Sequence, residues 1–202
     1  MQVMLIDDHP MLNYGLAYCL EETGHFSVIA QATSLSEARQ IIEEVETLPS
    51  LIILDILLGE ENGLDFLSFL KNFCQKKQIH KPKVLICSVL EDPFRIRSAI
   101  SLGASGYVPK TGTKAELLLA IDTILSGKIF VPDRHSIILQ ERSNTHTKFT
   151  KRENDVLNLV MQNNTNQKIA QMLGISVRTV ENHISNIYFK TGAVNRLELM
   201  KL

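Results

Sequence analysis

Residues 51–55 read LIILD, four large apolar side chains running straight into a carboxylate, and residues 56–63 continue ILLGEENG. A short apolar run bounded by turn formers fits a strand buried on both faces, the kind that a helix-covered parallel sheet requires. An Asp at the tip of such a strand is by itself a common turn residue. Its meaning depends on what else reaches the same place.

Similar runs recur at residues 3–6, 26–30, 84–87 and 106–108. Between the strands, apolar residues return at three- and four-residue steps, as in Leu12, Leu16, Cys19 and Leu20, or Leu117, Ala120, Ile121 and Ile124. That is the spacing of helices with one buried face. Ser34 with Glu37, and Thr113 with Glu116, have the spacing of a capping box. The alternation predicts an α/β domain over residues 1–126, with a five-stranded parallel sheet in the flavodoxin-like order 2-1-3-4-5. Residues 127–147 hold no sustained period and read as a linker, with a short helix around residues 136–140. Residues 148–202 carry only helical patterns, opened by Thr150 and Glu153 at capping-box spacing, and predict a four-helix second domain.

Composition narrows the function classes. The chain has 202 residues, 45% of them hydrophobic, and no apolar run near the ~20 residues that span a bilayer. Its start, MQVMLIDDHP, lacks the basic region and long apolar stretch of a signal peptide. The expectation is a soluble, cytoplasmic protein without a membrane partner. Cys19, Cys74 and Cys87 lie in apolar patterns without metal-type spacing and read as reduced, buried thiols. Net charge is −1, yet residues 1–147 carry 13 Lys+Arg against 18 Asp+Glu, and residues 148–202 carry 8 against 4. A basic tail behind an acidic front points to a nucleic-acid contact in the tail.

In a parallel sheet, residues just past different strands meet at one edge. Asp7 and Asp8 follow the first strand and Asp55 the third. Ser88 ends the fourth, and Lys110 follows the fifth. Three acids at one edge repel one another unless a cation or proton compensates them, and oxygen ligands of this kind suit Mg²⁺. His9 adjoins the acids, but as an exposed residue opening a helix at Pro10 it reads as lying outside the site.

An acidic pair after strand one, an Asp after strand three, Ser after strand four and Lys after strand five together resemble the receiver domain of two-component response regulators. The resemblance implies that Asp55 takes a phosphoryl group from a sensor histidine kinase or a small donor such as acetyl phosphate. It implies Mg²⁺ held by Asp8, Asp55 and the backbone carbonyl of Leu57, with Asp7 supporting the shell. Ser88, Tyr107 and Lys110 would form the switch, Tyr107 being the aromatic that turns inward once Ser88 moves toward the phosphoryl. Two departures stand out. Pro is lost from the segment after Asp55 although Gly63 is kept, which predicts a looser loop, and Val89 replaces a small residue, which predicts a changed phosphoryl lifetime.

In the tail, NQKIAQMLGISVRTVENHISNIYFK (residues 166–190) holds two helical patterns broken by Gly174, with Ser176 as the next N-cap. With Val177, Val180, Ile184 and Ile187 turned inward, Arg178, Glu181, Asn182 and Ser185 share the outer face. Arg and Asn have the hydrogen-bonding chemistry to read guanine and adenine in a major groove. From Phe149 onward the chain resembles the NarL/LuxR-type helix-turn-helix. The resemblance implies DNA contact by Lys168, Val177, Arg178, Thr179, Glu181, Asn182, Ser185 and Lys190, with Lys168 and Lys190 on phosphate. It implies promoter DNA and a phosphorylation-dependent homodimer as partners. The family often dimerises through the last helix, from Asn195, whose short length here predicts a weak contact.

Two other readings differ in class. A phosphatase with an Asp nucleophile would carry a second acid two residues on, where Leu57 stands. A phosphate-independent interaction protein would have little use for the acidic pair, Ser88 and Lys110 together.

Overall fold

The computed structural model describes residues 1–59, 61–89, 93–132, 149–191, 193 and 196–200. These fall into two compact units, one carrying the sheet and one carrying the last helices. The expected helix around residues 136–140 lies outside the described residues.

In chain order the elements through residue 125 are β1 (Gln2–Ile6), α1 (Pro10–Glu21), β2 (Ser27–Ala32), α2 (Leu35–Glu44), β3 (Leu51–Leu54), the two-residue strands β4 (Leu57–Leu58) and β5 (Glu61–Asn62), α3 (Leu64–Lys77), β6 (Lys83–Ser88), α4 (Pro93–Ser101), β7 (Gly106–Pro109) and α5 (Lys114–Leu125). The main sheet is parallel in the order β2-β1-β3-β6-β7, the flavodoxin-like arrangement.

The two-residue period of a strand divides the core. Val3, Leu5, Leu51, Ile53, Leu85 and Cys87 face α1 and α5, where Ala17, Leu20, Leu117, Ala120, Ile121 and Ile124 close over them. The alternate residues Met4, Ile6, Ile52, Leu54, Val84 and Ile86 are at most 1% exposed. The central strands are thus covered on both faces, which is why they read as unbroken apolar runs. β2 differs. It is an edge strand with half its residues exposed, and it occupies Ser27–Ala32 rather than residues 26–30. Gln31 and Ala32 are drawn into the ladder opposite Leu5 and Ile6 after a register shift at Val3/Met4, a tertiary constraint that local pattern does not carry.

Residues 129–131 also differ from expectation. They fall in the sequence-predicted linker, yet Phe130 bridges Gly106, its carbonyl accepts from the Tyr107 amide at 2.8 Å, and Val131 is buried. The run IFV is too short for a pattern, but it covers the open edge of β7.

The second unit contains α6 (Lys151–Met161), α7 (Asn166–Leu173), α8 (Val177–Thr191) and the short α9 (Arg196–Leu199) among its described residues. Val156, Val160, Ile169, Val180, Ile184, Ile187 and Leu199 form its core. Gly174 ends α7 at φ +63°, a left-handed cap that glycine adopts without strain. Two residues later Ser176 Oγ accepts from the Thr179 amide at 3.0 Å and starts α8.

Thr150 and Glu153 form a reciprocal capping box at the head of α6. Glu153 also receives Lys190 of α8 at 2.5 Å, with both side chains more than nine-tenths buried. The expectation that Lys190 lies on phosphate is thereby corrected, because its ammonium is committed to Glu153 inside the domain. Burial alone would raise the Glu153 pKa, but the hydrogen bonds from Lys190 and Thr150 outweigh it and hold the carboxyl below its ordinary 4.5.

A depressed acid stabilises the fold fully above its unfolded value, and that contribution fades as pH falls through the lowered folded value. Glu153→Gln is expected to cost the second unit about 3 kcal/mol at pH 7, since it strands Lys190. The deficit relative to wild type should shrink in acid below pH 4.5. Hydrogen exchange of the α8 amides at both pH values checks this.

Candidate functional site

The carboxyl ends of β1, β3, β6 and β7 deliver the sequence-predicted residues to one place. Asp55 leaves β3 with its amide bonded to the Ile6 carbonyl at 2.9 Å, which fixes the acid beside the end of β1. Asp7 and Asp55 are both nearly inaccessible, at 3% and 2% exposure. Lys110, following β7, places Nζ 2.6 Å from Asp7 Oδ2 and 2.6 Å from Asp55 Oδ2. Burial alone would lower the Lys110 pKa, but the hydrogen bonds and charges of Asp55 and Asp7 outweigh it and raise it above its ordinary value. The ammonium therefore stays charged. With three carboxylates against one amine, the cluster keeps an excess of negative charge.

Ser88 ends β6 fully buried, and its Oγ has no hydrogen-bond partner among the described residues. Its carbonyl accepts from the Lys110 amide at 2.9 Å, so the Ser and Lys are joined through backbone. An unpaired buried hydroxyl costs about 1–3 kcal/mol and marks a position fitted to something other than the resting protein. Tyr107 is buried at 1% exposure, the inward position. Val89 is 58% exposed, so most of its side chain faces solvent.

In the segment after Asp55, β4 pairs antiparallel with β5. Leu58 is buried, and Glu61 reaches back to accept from the Leu35 amide at 2.8 Å, capping α2. Gly59 takes φ +58° and donates its amide to Asp8 Oδ2 at 2.8 Å. Gly63 is required for a different reason. A Cβ there would lie 2.0 Å from the Asp55 carbonyl oxygen, so glycine alone lets α3 start against the acid loop.

Sequence reasoning left two groups out. His9 Nδ1 lies 3.1 Å from Asp7 Oδ1 and 2.8 Å from Asp8 Oδ1, and its amide donates to Asp7 Oδ1 at 2.9 Å. His9 thus touches two of the three acids, correcting its exclusion. Asn13 is buried on α1 and donates from Nδ2 to the Asp7 carbonyl at 3.0 Å. A buried Asn on an otherwise apolar helix face was the available signal for it.

The donor set fits a hard divalent cation. Ligand atoms of Asp7, Asp8, His9 and Asp55 all lie within 4.8 Å of one another, and Asp8 Oδ1 is shielded from solvent beside the His9 ring.

In the second unit, Val180, Ile184 and Ile187 turn into the core, while Arg178 and Lys168 are exposed and Thr179, Glu181, Asn182 and Ser185 are partly exposed. Arg178, Asn182 and Ser185 recur at four- and three-residue steps on that outer face. The Thr179 hydroxyl is held 2.8 Å from Ser176 Oγ at the head of α8.

Residues 3–122 match the family model described as the response regulator receiver domain, and residues 147–202 match bacterial regulatory proteins of the luxR family. The chain is a response regulator. Its sequence is 31% identical to the transcriptional regulatory protein LiaR of Bacillus subtilis, over 98% of this chain and 93% of that protein. It is 32% identical to the nitrate/nitrite response regulator protein homolog of Haemophilus influenzae, again over 98% and 93%. Among solved structures, a LuxR-family two-component response regulator from Aurantimonas is 27% identical at a TM-score of 0.61, covering 69% of this chain and 95% of that one. The family is one of DNA-binding transcriptional regulators rather than enzymes, which removes the phosphatase reading. No helix among the described residues of the regulator is long and apolar enough to cross a membrane.

Gly63→Ala must push backbone apart beside Asp55. It is expected to lower the unfolding free energy of the first unit by about 2 kcal/mol, the usual scale of overpacking. Urea titration followed by far-ultraviolet circular dichroism checks it.

Proposed function

We propose that Asp55 is the phosphoryl acceptor of this regulator and that its phosphorylation controls promoter binding by α8. The observation that carries the reading is the Lys110 ammonium 2.6 Å from both Asp7 and Asp55, with the Ser88 hydroxyl, unpartnered among the described residues, at the neighbouring strand end.

Phosphoryl transfer gathers charge on the equatorial oxygens, and catalysis consists largely of positioning and compensating that charge. An Asp55 carboxylate oxygen forms a bond to phosphorus as the bond from phosphorus to the kinase's histidine nitrogen breaks, and the leaving imidazole takes up a proton. Asp8, Asp55 and the Leu57 carbonyl would hold Mg²⁺, with Asp7 in support, and Mg²⁺ when bound supplies charge neutralisation at the phosphoryl oxygens. Lys110 then exchanges a carboxylate partner for a phosphoryl oxygen, and Ser88 Oγ donates to another. Tyr107, buried on β7, would fill the space that Ser88 leaves, which would couple the β6 and β7 ends to the outer surface.

The proposed partners are a sensor histidine kinase, promoter DNA and a second copy of the chain, in the cytoplasm. RcsB of Salmonella enterica, 19% identical at a TM-score of 0.61, was solved bound to a promoter in the presence of a phosphomimetic, and another RcsB structure contains dimers on DNA. Leu199 of α9 is buried in its own domain's core, which leaves this residue no role in a dimer contact. On the DNA face, Arg178, Asn182 and Ser185 read bases with Val177 and Glu181 beside them, Thr179 supports the head of α8, and Lys168 approaches phosphate.

Incubation with acetyl phosphate and Mg²⁺, then intact mass measurement, is expected to show one added phosphoryl group on the wild type, none on Asp55→Asn and none with excess chelator. An adduct on Asp55→Asn would overturn the assignment. On DNA selected by the wild type from a random pool, Arg178→Ala is expected to cost about 1–3 kcal/mol and relax one base preference. Lys168→Ala should weaken all sequences alike and reduce the salt slope by about one. Salt-titrated fluorescence anisotropy separates the two.

A further inference from the structure

We propose that the basic rim where α3 ends and β6 begins is a second DNA contact of this regulator, holding the phosphate backbone of the duplex whose bases α8 reads. The inference rests on the reading that the chain holds promoter DNA.

The first unit is acidic as a whole, but its cations are not scattered. Residues 66–90 hold no Asp or Glu, and within them Lys71, Lys76, Lys77, Lys81 and Lys83 make up five of the 13 Lys+Arg in residues 1–147. They gather at the sheet edge where β6 begins, opposite the strand ends that carry Asp55. There the Lys83 amide donates to the Ser50 carbonyl at 3.0 Å, and partly buried Lys81 donates from Nζ to the Gly103 carbonyl ahead of β7. Among the described residues none of the five is ion-paired with a carboxylate.

Lys76 and Lys77 have a local use in the last turn of α3, where cations offset the negative end of the helix dipole. Lys71, Lys81 and Lys83 have no such use. Burial lowers the Lys81 pKa, Cys74 offsets part of this, and the charges of Lys71 and Lys83 lower it further, so these three ammonium groups stand close enough to repel one another. Repulsion that no acid of the fold answers is relieved by an anionic partner.

The helical unit shows why that partner is DNA. Of its described cations, Lys190 is taken by Glu153, Arg152 donates to the Leu173 carbonyl and Arg196 to the Asn164 carbonyl. Lys151, Lys168 and Arg178 are left exposed. Sequence-independent affinity for duplex grows with the number of phosphates neutralised, and three cations beside the acid of Glu181 supply little of it. One chain carries both units, so duplex held by α8 meets the rim at a high effective concentration, and a few further phosphate contacts there add directly to affinity.

The test uses the full chain with acetyl phosphate and Mg²⁺, on the duplex that the wild type selects from a random pool and on a scrambled duplex. Lys71→Gln/Lys83→Gln removes two charges while leaving the last turn of α3 and the Lys81 bond in place. In salt-titrated fluorescence anisotropy it is expected to bind both duplexes about tenfold more weakly at ~0.1 M salt and to reduce the salt slope by about two, with the preference between duplexes unchanged. Lys71→Arg/Lys83→Arg should match the wild type. Lys114→Glu, exposed at the head of α5, makes the same change in net charge and should leave the slope as it is. An unchanged slope in the Gln variant, an equal fall in Lys114→Glu, or a loss that persists in the Arg variant would overturn the rim contact. Binding of the wild type but not the Gln variant to phosphatidylglycerol vesicles, with the DNA slope unchanged, would assign the rim to a membrane surface instead. The rim effect should persist in an Arg178→Ala background, so failure of the base-reading role of α8 is seen separately. A wild type that binds neither duplex would overturn the rim contact together with the promoter reading.

Discussion

The position of the Lys110 ammonium between Asp7 and Asp55 is the contact around which the first unit is arranged. Parallel strands oblige the residues past β1, β3 and β7 to meet at one sheet edge, and two buried carboxylates cannot both stay charged there without a cation. Lys110 supplies it from the last strand of the sheet, so the contact closes only when β7 has docked. Gly63 lets α3 begin against the Asp55 carbonyl, and the Asp55 amide is pinned to Ile6. The neighbouring geometry follows from keeping these three groups in register.

The balance is incomplete by design of the residue set. Asp8 brings a third carboxylate, partly exposed and held by the Gly59 amide and the His9 ring. One lysine cannot match three acids, and the Ser88 hydroxyl has no partner among the described residues. Strain of this kind persists only where the surrounding structure enforces it, and here four strand ends and the β4–β5 hairpin do so.

Much of this was legible in sequence because buried parallel strands advertise themselves. LIILD and KVLICS are unbroken apolar runs for the physical reason that helices cover both faces, and each ends on the polar residue that the sheet edge presents. Edges were less legible. β2 alternates between core and solvent, so its bounds were set by pairing with β1 rather than by its own pattern. The segment at Phe130 is short and gains its structure from the β7 edge it covers. Side-chain commitments were the least legible. Helix periodicity places Lys190 on α8, but only the packing of α6 against α8 turns its amine toward Glu153, and a basic residue near a recognition helix reads as a phosphate contact until that pairing is seen. His9 went unread for the opposite reason, since an exposed histidine before Pro10 has a sufficient local explanation.

The two lysine–carboxylate clusters show how charge bookkeeping separates a site from a brace. Lys190 is ion-paired with Glu153, which also receives the Thr150 amide, so this carboxylate is answered within the protein. Such a pair has no affinity left for an ion and serves to join α6 to α8. Lys110 faces an excess of acid, and at the neighbouring strand end the buried Ser88 hydroxyl has no partner among the described residues. On the proposed function, the residual negative charge would draw a divalent cation, and that cation with Lys110 would make a dianionic phosphoryl group tolerable where another anion would be repelled. Burial and pairing look alike in the two clusters. The uncompensated charge, rather than the presence of a buried ion pair, is what distinguishes the sheet edge from the brace that joins α6 to α8.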